Sequence, residues 1–186
     1  MSITTSEAAQ SLHEAEITGR RMRAADAYSA ASGYLILWGA IWFLGYAGCG
    51  LVAPVYWAAV WVPLILVGGV ASAVLGHRGT GRRDPVRGER AATLIMSAAI
   101  AVFIVSVLAV FRPAEPEPSL MLPALVTGLV YMLMGSLVLR RFVWIGAAIF
   151  VVALAGYFLA RPMLPFLLAL AGGGGLVLGG LWLRRP

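Results

Sequence analysis

Lysine is absent from this chain, cysteine occurs once, and no Asp, Glu, Arg or His interrupts any of its long apolar runs. Each absence removes a class of function. Proton- or sodium-coupled transporters, redox pumps and intramembrane proteases need ionisable or metal-binding groups at depth. The only histidines, His13 and His77, lie outside the apolar runs, so haem held between two helix histidines is not expected. Cys49 excludes an intrachain disulfide and reads as a small packing residue. The glycines of "GHRGTGRRD" lack the Walker pattern. No paired carboxylates or Ser-His-Asp set has supporting context. A non-catalytic protein without cofactor or metal is the expectation.

What is present is apolar. Of 186 residues, 61% are hydrophobic and 12% charged, where a soluble domain carries about 25% charged residues. The mean hydropathy is +0.89. No charge occurs from Ala27 to Gly76, and Ala91–Phe111, Ser119–Leu139, Phe142–Ala160 and Pro162–Leu183 are likewise uncharged. Runs of about 20 residues, apolar on every face, predict membrane helices and not a barrel. The expected fold is all-α: a helix over 1–27, then a transmembrane domain over 28–185 with spans near 29–49, 54–76, 91–111, 119–139, 142–160 and 163–183. The first residues show no signal-peptide pattern, so the chain is expected to stay as written.

Arginine supplies all 14 cations, and its placement predicts orientation. Arg20, Arg21, Arg23, Arg78, Arg82, Arg83, Arg87, Arg90, Arg140, Arg141, Arg184 and Arg185 fall on one side of six spans. Arg112 and Arg161, offset by Glu115 and Glu117, fall on the other. Both termini are therefore expected in the cytoplasm of a multi-pass inner-membrane protein. The segments "MLPALVTGLVYMLMGSLVLRR" and "MLPFLLALAGGGGLVLGGLWLRR" share a bracket: Met-Leu-Pro opens an inward-going helix and an Arg pair closes it. Three out-and-back hairpins follow from that reading, either duplicated or sharing a common membrane grammar.

Packing signals are small residues one turn apart. Gly175 and Gly179 lead, with Gly68, Ser72 and Gly76; Gly128 with Gly135, and Gly146 with Ala147, are weaker. Gly172–Gly175 leave a turn without side chains, for helix packing or for local unwinding. Pro63 predicts a kink. Tyr34, Trp38, Trp42, Trp57 and Trp61 form either a packed seam between the first two helices or a candidate pocket for an apolar or cationic ligand.

Two features face the cytoplasm. Thr4 and Glu7 have capping-box spacing, and Ala8, Leu12, Ala15, Gly19 and Met22 recur along one face of a helix. The loop "HRGTGRRDPVRGER" sets topology and, through Arg78, Arg82, Arg83, Arg87 and Arg90, offers a site for anionic lipid head groups. Nucleic acid is not expected, because no aromatics are interleaved. The stretch "EAAQSLHEAEITGRRMRAADAYSAASGYLILWGAIWFLGY" resembles the start of small uncharacterised bacterial six-span membrane proteins, some encoded beside winged-helix regulators. The outer prolines also loosely resemble the six-span acid-resistance membrane proteins. Neither resemblance implies a catalytic residue. The expected function is a partner, regulatory or accessory subunit that contacts lipid, a second copy or another membrane protein. The alternative is a passive transporter or channel for a small neutral or hydrophobic solute.

Overall fold

The computed structural model describes residues 5–79, 87–137 and 140–184. Thr4, Arg82, Arg83 and Arg185 lie outside them. Among the described residues all regular structure is helical. α1 runs Thr5–Leu51 without a break, so the expected N-terminal helix and the first span are one rod. A 3-10 turn, Pro54–Tyr56, leads into α2, Trp57–Gly79, which continues through Pro63. α3 is Arg87–Phe111, α4 Glu117–Leu137 and α5 Arg141–Leu159. The C-terminal rod, Arg161–Leu183, is composite: a 3-10 turn Arg161–Met163, α6 Leu164–Leu167, a π-helix Leu168–Gly174, and α7 Gly175–Leu183.

Five stretches are long and apolar enough to cross a membrane: Ala31–Leu51, Pro54–Gly76, Glu117–Leu137, Arg141–Leu159 and the C-terminal rod. The apolar part of α3, Ile95–Phe111, is shorter. Helices are the outcome physics demands, since hydrocarbon offers no partner for an unpaired N–H or C=O.

The bracket sequences start differently from one another. Pro165 stands in the first turn of α6, where its missing N–H costs little. Pro123 does not open α4, which begins at Glu117 and carries Pro123 inside. Pro116 and Pro118 explain the earlier start: both fix φ near helical values, and Ser119 N–H bonds the Pro116 carbonyl at 3.0 Å. Arg112 ends α3 with φ 39° and is followed by Pro113, a left-handed stop in which its N–H bonds the Leu108 carbonyl.

α1, α5 and the C-terminal rod pack together at the centre, with α4 laid along α5. α2 leans on α1, and α3 touches α4 lightly. Glycines set the closest approaches. A Cβ on Gly173 would collide with the Phe43 backbone nitrogen. One on Gly39 would lie 2.8 Å from the Gly173 carbonyl oxygen and from the Val177 nitrogen. One on Gly180 would lie 2.9 Å from the Ser32 carbonyl oxygen. The α1 positions Ser32, Ile36, Gly39 and Phe43 are spaced four, three and four apart, and so are Gly173, Val177, Gly180 and Arg184 opposite. Alternating steps of three and four keep each row on one face of its helix, and the two antiparallel rows close to near backbone contact. α4 and α5 repeat the device, with Gly128, Met132 and Gly135 facing Phe150, Gly146 and Val143.

The expected Gly175–Gly179 pair is not this seam. Gly179 lies against Ile145 and Leu35, and a Cβ on Gly175 would meet nothing within 4 Å. On the α2 side Gly68 lies under Ile41 and Trp38, and Ser72 hydrogen-bonds Trp38. The glycine turn that sequence left open is helical, widened to the π form, which side-chain-free positions allow without crowding.

Gly173→Ala should destabilise the protein by about 1–3 kcal/mol, because its methyl meets backbone that cannot rotate away. Gly69→Ala, which meets nothing within 4 Å, should be neutral or stabilise by about 0.5 kcal/mol. Reversible unfolding in mixed micelles measures both; equal effects would refute the close seam.

Candidate functional site

The aromatic residues marked in the sequence lie along the contact between α1 and α2. Tyr34 stands at one end, its hydroxyl facing Gly76. One turn on, Trp38 Nε1–H donates to Ser72 Oγ at 3.2 Å. Trp42 lies beside Gly172 of the π-helix. Trp61 lies flat over Gly45, where a Cβ would come within 2.7 Å of its ring. At the far end Trp57 Nε1–H donates to the Cys49 carbonyl at 3.0 Å.

Sequence reasoning missed the residue that joins them. Tyr46 is 1% exposed. Trp42 and Trp61 meet its ring edge-on, at 5.4 and 5.1 Å between centroids, a geometry set by the ring quadrupole. Its hydroxyl donates to the Leu120 carbonyl of α4 at 3.1 Å. The signal was present: Tyr46 continues the four-residue step of Tyr34, Trp38 and Trp42. The rings thus contact one another or helix backbone, and the two cavities described below are lined by other residues.

Arginines rivet both ends of the bundle. At the end where α1 leaves it, Arg141 stacks on the rings of Tyr28 and Trp182, 5.4 and 4.9 Å from their centroids. It also donates to the Trp182 carbonyl at 3.3 Å, in the last turn of α7 where cations are favoured. Arg184 Nε–H donates to Ser32 Oγ at 3.3 Å, and that buried hydroxyl donates to the Ser29 carbonyl at 2.7 Å. At the opposite end Arg161 pairs with Glu115 at 2.7 Å and stacks on Tyr157 at 4.5 Å. Of the arginines expected to meet lipid head groups, Arg78 lies near the end of α2, and Arg87 and Arg90 open α3. Arg82 and Arg83 lie outside the described residues.

Among the described residues no group of three His, Cys, Asp or Glu side chains could hold a metal ion. Cys49 is free and buried. Comparison with protein-family models, with curated proteins and with solved structures gave no match for this chain.

Tyr46→Phe, which removes one interhelical hydrogen bond, should cost about 0.6 kcal/mol. Trp61→Ala, which empties the contact over Gly45, should cost about 3 kcal/mol. Unfolding of each variant in mixed micelles measures the difference; equal costs would show that ring packing does not hold α1 to α2.

Proposed function

We propose that this chain is a non-catalytic, six-span protein of the bacterial inner membrane, built of three hairpins with both termini cytoplasmic. Its role is that of a partner or regulatory subunit. The observation that carries the reading is the length of α1. Its 47 residues span about 70 Å at 1.5 Å per residue, and the hydrocarbon core takes up only about 30 Å. With Ala31–Leu51 in the bilayer, the remainder stands clear of it as a continuous helix. Gln10, Glu14, Glu16 and Met22 are exposed on that projection. At its root Tyr28 and Ser32 are held by Arg141 and Arg184, so a load on the projection is delivered to the bundle.

In this reading α3 is the sixth span, its apolar part completed by the small and uncharged residues that precede Ile95. The basic loop between α2 and α3 then shares a compartment with the projecting helix and meets anionic head groups. Passive transport is the weaker reading, because the rings that would line a route are engaged with one another, with Ser72 and with backbone carbonyls.

Two experiments test this. Cysteines placed one at a time at Arg87 and Glu117, in a Cys49→Ala background, should label from opposite sides of the membrane; labelling from the same side overturns the six-span arrangement. Capture from mild detergent should recover a partner or a second copy with the full chain and lose it when residues 1–26 are removed. Recovery of the bare protein in both cases overturns the partner role.

A further inference from the structure

Arg140 stands next to Arg141 but is engaged differently. It is exposed, and among the described residues its guanidinium has no hydrogen-bond or ion-pair partner, while its carbonyl accepts from Val143 N–H at 3.2 Å. Its backbone is already helical, φ −48° and ψ −30°, so Arg140, Trp144 and Ala148 share one face of α5 at intervals of four. Each interval descends about 6 Å. All three are exposed, Trp144 to 69%.

Two hollows flank this face. One, of about 350 Å³, lies between α4 and α5 and is lined by Gly135, Ser136, Leu137, Arg140 and Val143. The other, of about 200 Å³, lies between α5 and the C-terminal rod and is lined by Trp144, Ile145, Ala148, Ile149, Ala171 and Gly175. The second is open because the C-terminal rod lines it with only the small residues Ala171 and Gly175, and a Cβ on Gly175 would meet no atom within 4 Å.

A fixed cation at the bilayer margin, an indole one turn deeper and an apolar hollow two turns deeper match one amphiphile. We propose that the outer face of α5 is a binding site for an anionic glycerophospholipid, its phosphate on Arg140, its ester region beside Trp144 and one acyl chain in the hollow at Ala148 and Gly175. Free phosphate would leave the apolar part unused. A span from a second copy offers Arg140 no acid within its apolar run, whereas a phospholipid carries its phosphate on the same molecule as the chain that fills the hollow. The site requires only that α5 crosses the bilayer. It is distinct from the basic loop and independent of any protein partner.

Native mass spectrometry of the full-length protein in detergent, with added dioleoyl phosphatidylglycerol or dioleoyl phosphatidylcholine, tests the site. At this site the wild type should favour phosphatidylglycerol over phosphatidylcholine about fivefold, as one interfacial cation provides. Arg140→Gln should lower the number of phosphatidylglycerols retained by one per chain, the basic loop keeping its own, and Arg140→Lys should restore it. Ala148→Leu, at an exposed position that leaves packing intact, should reduce retention of both lipids. Arg112→Gln, at the opposite end, should change nothing. An unchanged phosphatidylglycerol count in Arg140→Gln, undiminished binding in Ala148→Leu, or displacement of the lipid by millimolar inorganic phosphate would each overturn the proposal. Because no protein partner takes part in the measurement, its failure and that of the partner role are separately visible.

Discussion

The structure depends on how closely two helix backbones can approach in a medium that does not push them together. Lipid chains are as apolar as the side chains they touch, so helices here gain little by hiding leucine from solvent. They gain by dispersion between atoms in contact, and each such contact is small until many are made at once. Glycine at Gly39, Gly173 and Gly180, and again at Gly128, Gly135 and Gly146, removes the side chains that would hold the backbones apart. Both seams step by threes and fours along antiparallel helices, which keeps the small residues of each pair on the facing sides.

The placement of the other helices follows. α5 and α1 both pack on the C-terminal rod, so two glycine-lined pairs become one bundle. Large side chains are then admitted only where a third element must fill space. Leu164, Leu168 and Leu176 are buried almost completely between neighbours, and Trp61 reaches over Gly45 to bring α2 against α1. α2 and α3 carry broad apolar faces on which Val62, Leu66, Val70, Val102 and Val110 are more than half exposed. In water these would be a liability; in a bilayer they are ordinary lipid-facing surface.

The apolar runs, the helices and the ends marked by arginine were legible from composition, because the bilayer penalises exceptions severely enough to leave a plain pattern. Gly128 with Gly135, and Gly146 with Ala147, were visible only as weaker small-residue signals, and that Gly128 faces Gly146 came from the structure. The seam between α1 and the C-terminal rod was not legible. Gly39 is isolated in sequence, and its partner in Gly172–Gly175 cannot be chosen without the register that the π-helix imposes. The conspicuous G-x-x-x-G divides, with Gly179 packed against Ile145 and Leu35 and Gly175 open, since a motif within one helix does not say which face meets a neighbour. Tyr46 was missed for a related reason. The four-residue step from Tyr34 placed it on the aromatic face, but its hydrogen bond to the Leu120 carbonyl on α4, 74 residues away, leaves no local trace.

The polar groups inside the bundle make the proposed role coherent. Trp38, Trp57 and Tyr46 each donate to an oxygen of a neighbouring segment, so the interior has spent the donors that a solute would need along a path. A transport route must offer groups that exchange partners as the solute moves, and a donor bonded within a tight seam does so only by opening that seam. The arginines outside the seams are used the same way at the ends: Arg141 and Arg184 tie the base of α1 to α5 and to the C-terminal rod. A bundle closed by glycine contact and riveted at the root of its one projecting helix is suited to holding that helix in a fixed direction. In the proposed role, recognition would fall on the exposed projection and on the outer face of α5, where Gln10, Glu14 and Arg140 are exposed.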